Sequence, residues 1–176
     1  MMLLLREMKQ TDIEDYVRWF TTETKWGSTD APWEPFTGTV QEERENWTNY
    51  YEQMQKRSAN TLCCRFEIEV DGVHVGWIST YRDMEWFAAP ENGLAIGISI
   101  AQDGYRGKGY GRLALGKAID YYRAKGLTCL YAQTWSGNEA MIALANKLGF
   151  KEIARKKEHR EVAGKRYDAL TFVLCL

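Results

Sequence analysis

The alternation of apolar and polar positions predicts a chain of short strands interleaved with helices. Residues 2–7 form a brief apolar run that reads as a strand, and Thr11-Asp12-Ile13-Glu14 then has the capping-box spacing that starts a helix, here through about Phe20. Thr39-Val40-Gln41-Glu42 repeats that signature. From Val40 to about Lys56, Trp47, Tyr50, Tyr51 and Met54 recur at helical spacing and read as core. Between these helices, residues 26–38 hold Gly27, Pro32, Pro35 and Gly38 and are predicted as a loop. That loop displays Trp26, Trp33, Glu34 and Phe36, an aromatic and acidic wall suited to binding a substrate.

Residues 61–70 and 73–81 are β-rich and are joined by Asp71-Gly72, a strong signal for a two-residue hairpin. A third strand is predicted over 94–101, with a bulge or a close ligand contact at Gly97. A helix over 110–124 offers Leu113, Leu115, Ala118, Ile119 and Tyr122 to the sheet and stops at Gly126. A strand over 127–134, a helix over 138–148 ended by Gly149, and a hairpin over 150–159 and 166–174 complete the order β-α-α-β-β-β-α-β-α-β-β. It contains one parallel crossover and forms a single domain over 1–176.

Composition narrows the function classes. With 176 residues, 45% hydrophobic and 27% charged, seven Trp and ten Tyr, the chain is expected to fold around one core. No apolar run reaches the roughly 18 residues that span a bilayer. Residues 1–5 are too short an apolar start for a signal peptide, so a cytoplasmic location and no membrane partner are expected. Cys63, Cys64, Cys129 and Cys175 lack C-x-x-C spacing and read as buried free thiols. His74 and His159 stand at unrelated spacings, so no metal is expected. The net charge of −1 conceals a split: residues 1–110 hold eighteen acids and eleven bases, residues 111–176 six acids and twelve bases. The basic run of Lys151, Arg155, Lys156, Lys157 and Arg160 has no reading motif around it, and no nucleic-acid partner is expected.

The densest chemistry lies in Arg106-Gly107-Lys108-Gly109-Tyr110-Gly111, between a strand ending at Ile100 and a helix beginning at Tyr110. Glycines there let the backbone turn tightly, so that successive N–H groups and a helix N-terminus converge on an anion. Arg106, Lys108 and Arg112 add positive charge.

These residues resemble the GNAT superfamily of N-acetyltransferases, whose pyrophosphate-binding pattern Gln/Arg-x-x-Gly-x-Gly/Ala is matched by Arg106, Gly109 and Gly111. The stretch from Asn138 through Lys147-Leu148-Gly149-Phe150 resembles the family's second coenzyme motif. Gly164-Lys165-Arg166-Tyr167-Asp168 resembles the RimJ/RimL-like branch, which contains ribosomal-protein N-terminal acetyltransferases. The resemblance implies an α/β (α+β mixed) fold, with a mixed, mostly antiparallel, twisted sheet of six to seven strands flanked by four helices. It also implies acetyl-CoA as donor, its pyrophosphate on the amides of Gly107, Lys108, Gly109, Tyr110, Gly111 and Arg112 beside Arg106. The pantetheine arm would lie along Ile98, Ser99 and Ile100, Asn138 would hydrogen-bond it, and Met141 and Lys147 would also belong to the coenzyme site.

Three positions depart from the family. Ala95 replaces a frequent Glu base, Met141 a frequent Ser that bonds the thiol, and Ala145 falls near the place of a Tyr acid. Catalysis is therefore expected to rest on alignment. Glu91, Glu85 or Asp83 are candidate water-linked bases and Tyr167 a candidate acid, while Trp26, Trp33 and Glu34 are expected to meet the acceptor. The expected activity is transfer of acetyl to a primary amine, on a small molecule or a protein N-terminus, by a monomer or homodimer. The alternatives are a non-catalytic acetyl-CoA sensor or an enzyme using another acyl-CoA.

Overall fold

The computed structural model describes residues 2–58, 61–88, 90 and 93–176. Seven strands form one sheet in the order β1-β2-β3-β4-β5-β7-β6. They are β1 (Leu3–Arg6), β2 (Arg65–Val70), β3 (Val73–Tyr81), β4 (Ala95–Ile100), β5 (Cys129–Trp135), β6 (Lys151–Val162) and β7 (Lys165–Cys175). All neighbours pair antiparallel except β4 and β5, which are parallel. The helices are α1 (Asp12–Thr21), α2 (Gly27–Asp30), α3 (Val40–Gln55), α4 (Tyr110–Ala124) and α5 (Glu139–Lys147), with a 3-10 turn over Thr24–Trp26 ahead of α2. Among the described residues no helix is long and apolar enough to cross a membrane.

Local chemistry sets most of these boundaries. Asp71 and Gly72 both take positive φ (49° and 84°), the backbone a two-residue hairpin turn requires. Thr39 and Glu42 form the reciprocal capping box that starts α3. The corresponding box at Thr11 does not form: Thr11 is already in helical conformation and makes no side-chain cap. Asp12 takes that place by accepting from the Lys9 amide at 2.7 Å while Arg6 grips its carboxylate. The loop predicted over 26–38 likewise contains the short α2. β2 begins later than expected because the hydroxyls of Tyr121 and Tyr122, on α4, bond the main chain of Cys63.

Two apolar layers cover opposite faces of the sheet. Ile78 packs in one with α4, through Leu115, Ala118, Ile119 and Tyr122, and its neighbour Trp77 packs in the other with α1, through Tyr16 and Trp19. Burying each of these large side chains contributes roughly 2 kcal/mol. Trp47 of α3 stacks on Tyr16 at 3.8 Å, and Tyr50 and Tyr51 close the edge of this layer, as their spacing predicted. Leu113, expected to face the sheet, is exposed, and Ala114 takes the inward position beside Leu115. The four cysteines are free but not buried. Cys63, Cys64 and Cys129 are half-buried and Cys175 is exposed, because they sit at strand ends rather than mid-strand.

Beneath α1 the aromatic layer holds a charged network. His74 lies between the carboxylates of Glu67 and Asp15, each at 3.0 Å, and the Tyr16 hydroxyl donates to Glu67 at 2.5 Å. Burial alone would push His74 down, but its hydrogen bonds to Asp15 and Glu67 outweigh that and raise it to about 9. Asp12, Asp15 and His74 are also the one grouping among the described residues close enough to share a metal ion. Both ring nitrogens of His74 already face carboxylates there, and Arg6 pairs with Asp12.

Candidate active site

The sheet opens where β4 and β5, the parallel pair among the described strands, part company. β4 and β5 meet at Ala95 and Tyr131, where the Tyr131 amide donates to Leu94 at 2.9 Å, and no pairing continues beyond. On its other side β4 stays in unbroken register with β3 through Ile100, so Gly97 is not a bulge. The opening comes instead from divergence of two parallel strands. Their facing amides and carbonyls are thereby left available to a ligand that replaces the missing strand contact.

A cavity of about 500 Å³ occupies this opening. Ile98, Ser99 and Ile100 form one wall, and Asn138, Met141 and Lys147 the wall opposite. The glycine loop lies across the end with Arg106, Gly107, Gly109, Gly111 and Arg112. Gly107 and Gly109 adopt left-handed backbone (φ 75° and 86°), and a side chain at either would enter open space rather than protein. Gly109 is the uncapped N-cap of α4, so first-turn N–H groups are left for an anion. The arrangement fits a diphosphate at one end and an apolar, amide-bearing arm along the strand.

Several residues take placements that the sequence alone did not reveal. The guanidinium of Arg106 bonds the carbonyls of Ile100 and Ala101 and the carboxylate of Asp103, so it braces the strand end while lining the cavity. Lys108 and Tyr110 are not on the lining; both lie against the Tyr105 ring, which is. Asn138 caps α5 by accepting from the Met141 amide at 3.0 Å, which leaves its amide nitrogen without a hydrogen-bond partner among the described residues.

A second cavity, about 260 Å³, opens beside the first. Its walls include Trp33, Trp86, Trp135 and Tyr81, and the carboxylates of Asp30, Glu34, Asp83 and Glu85. Arg160 of β6 is its cation; it pairs with Glu85 and lies 4.5 Å over the Trp33 ring. Asp30, Glu34 and Asp83 have no ion-pair partner among the described residues. The Asp30 side chain is open to the water of the cavities yet ringed by protein farther out. That surrounding protein and the nearby Glu34 carboxylate push its carboxyl up. Burial, with Asp30 close by, pushes Tyr81 up to about 12.

Among the expected acceptor contacts, Trp33 and Glu34 line this second cavity, whereas Trp26 is buried and lines the first. Asp83 and Glu85 reach the second cavity, and Glu91 lies outside the described residues. Tyr167 lines neither cavity; its ring meets Trp135 edge-on at 4.8 Å, with Lys165 over its face. Ala95 and Ala145 are fully buried and carry only methyl side chains. Sequence reasoning did not single out Tyr81, Gln133 or Trp135, and it read Arg160 only as part of a basic run. Their only signal was position at strand ends that converge in the fold.

Residues 2–151 match the model of the acetyltransferase (GNAT) domain. The chain belongs to the GNAT acetyltransferase family, and its enzyme class is that of an acetyltransferase. Solved structures share its fold across nearly the whole length. An N-acetyltransferase from Staphylococcus aureus Mu50 superposes with a TM-score of 0.72 at 20% identity, covering 99% of each chain. RimJ of Mycobacterium smegmatis, in complex with CoA-disulfide, gives 0.75 at 23% identity over 98% of this chain and 81% of its own. The yncA protein of Salmonella typhimurium, solved with its cofactor acetyl-CoA, gives 0.69 at 22% identity over 100% and 95%. No curated protein matches the sequence.

Proposed function

We propose that this acetyltransferase moves acetyl from acetyl-CoA to a primary amine by direct transfer while both are bound. The carrying observation is the pair of cavities that meet at the opening between β4 and β5, one built for a diphosphate-bearing arm and the other acidic and aromatic. Acetyl-CoA in the neighbouring fold of the Salmonella protein and CoA-disulfide in RimJ support the same donor here. The first-turn amides of α4 would hold the diphosphate, and Ile98 to Ile100 the arm.

The second cavity suits an acceptor that arrives as a cation, since three of its carboxylates, Asp30, Glu34 and Asp83, lack an ion-pair partner among the described residues. Either a small amine or a protein N-terminus meets that requirement. An α-amine with a pKa near 8 is already about one-tenth neutral at pH 7, so modest proton removal suffices. The four free thiols support a reducing, cytoplasmic setting.

Calorimetry with acetyl-CoA and thiol release across a panel of amines test the reading. Binding followed by amine-dependent release is expected. Binding without release on any amine would instead favour a sensor of the coenzyme.

A further inference from the structure

Among the described residues Asp30 alone lines both cavities. It ends α2, which lies across the mouth of the β4–β5 opening and is fixed there from β5. Trp135 donates its indole N–H to the Thr29 carbonyl at 3.0 Å and to the Asp30 carbonyl at 3.1 Å. The thioester carbon must come to the junction of the cavities to be attacked, so the carboxylate at that junction is the one adjacent to the reacting atoms.

We propose that Asp30 is the catalytic base, taking a proton from the incoming ammonium directly or through one water. This rests on the acetyl-transfer reading above. The neutral amine then attacks the thioester carbonyl, forming the C–N bond. As the C–S bond breaks, the remaining excess proton on nitrogen passes to the departing thiolate. The products are an N-acetyl amine and free CoA thiol, and Asp30 returns its proton to solvent.

The other acidic groups of the acceptor cavity are excluded by position. Glu85 is bound by Arg160 and, like Asp83 and Glu34, lines the acceptor cavity alone. Tyr81 stays protonated at neutral pH and so accepts no proton. The titratable and charged groups around Asp30 are Glu34 on its own loop, Tyr81 on β3, Asp83 and Glu85 after β3, and Arg160 on β6, while Arg106, Arg112 and Lys147 line the coenzyme side. The surrounding protein and Glu34 raise the affinity of Asp30 for a proton, and filling both cavities removes water and raises it further, which makes the carboxylate a stronger base.

The test compares wild type, Asp30→Asn and Glu34→Gln by acetyl-CoA calorimetry and by the pH profile of kcat for the best amine of the panel. For Asp30→Asn, coenzyme affinity within about threefold of wild type and kcat lower by about a hundredfold or more at pH 7 are expected. In this variant the acid limb set by Asp30 gives way to a steady climb of kcat with pH as the ammonium loses its proton unaided, so the deficit narrows at high pH. Glu34→Gln moves the acid limb to lower pH. An Asp30→Asn enzyme with wild-type kcat, or one slowed by the same factor at every pH, overturns the assignment, as does an acid limb unmoved in Glu34→Gln. A wild-type protein that binds acetyl-CoA and acetylates no amine removes the transfer reading itself, and the base with it.

Discussion

Trp135 holds Asp30 by its main chain, the indole nitrogen donating to the Asp30 carbonyl oxygen at 3.1 Å. One end of β5 thus fixes the last turn of α2, a helix too short to hold itself. Trp135→Phe leaves the carbonyls of Thr29 and Asp30 without this donor, at a cost of about 1–2 kcal/mol. Gly137→Ala reaches the same contact from behind, because its Cβ would stand 1.8 Å from the Trp135 ring. Both variants are expected to lower kcat while retaining acetyl-CoA affinity, read by steady-state kinetics beside calorimetry.

Stability should carry the signature of His74. Its raised folded-state value of about 9, against 6.5 for a free imidazole, means the fold favours the charged ring. The contribution is complete below about pH 6.5 and is lost as pH rises through about 9, roughly 3 kcal/mol in all. Urea melts across this window are expected to show wild type losing stability and His74→Gln lacking that slope.

At the glycine loop, Gly109→Ala forces a left-handed residue to carry a side chain, costing about 1–2 kcal/mol, and projects a methyl group into the open cradle. Calorimetry is expected to show acetyl-CoA affinity weakened about tenfold or more, a larger effect than the stability change alone explains.

A methyl group at Gly76 would meet the Ser99 carbonyl oxygen at 2.0 Å and the Ile100 Cα at 2.9 Å. Gly76→Ala therefore pushes β4 away from β3 where β4 also walls the coenzyme cavity. A stability loss of about 3 kcal/mol, together with weakened acetyl-CoA binding, is expected from melts and calorimetry on one preparation.

Features encoded within a few residues could be read before any coordinates. The Asp71-Gly72 turn, the Thr39 capping box and the start of α4 behind its glycines depend on neighbours in sequence, and all stand as read. Local signals misled where a distant partner competed. Thr11 has the right spacing for a cap, but Arg6 and Asp12 settle that turn differently. The network around His74 joins Asp12, Asp15, Glu67 and His74 from three elements, and charged residues so scattered read as solvent-facing. Asp30 falls in the stretch read as a loop, and its place between two cavities exists only once β5 presents Trp135 to α2. Tyr167 shows the reverse, a residue with suitable chemistry that the β7 register packs behind Trp135.

Divergence of β4 from β5 leaves two antiparallel half-sheets, β1–β4 and β5–β7–β6, joined by a single main-chain pairing and the α4 crossover. Each half gains most of its ladder from its own strands, so the seam is the place where the molecule has least internal stitching. A donor seated between Ile100 on one half and Asn138 on the other acts as a rivet. Amide exchange in β4 and β5 should consequently slow on adding coenzyme far more than exchange in the distant β1–β2 ladder.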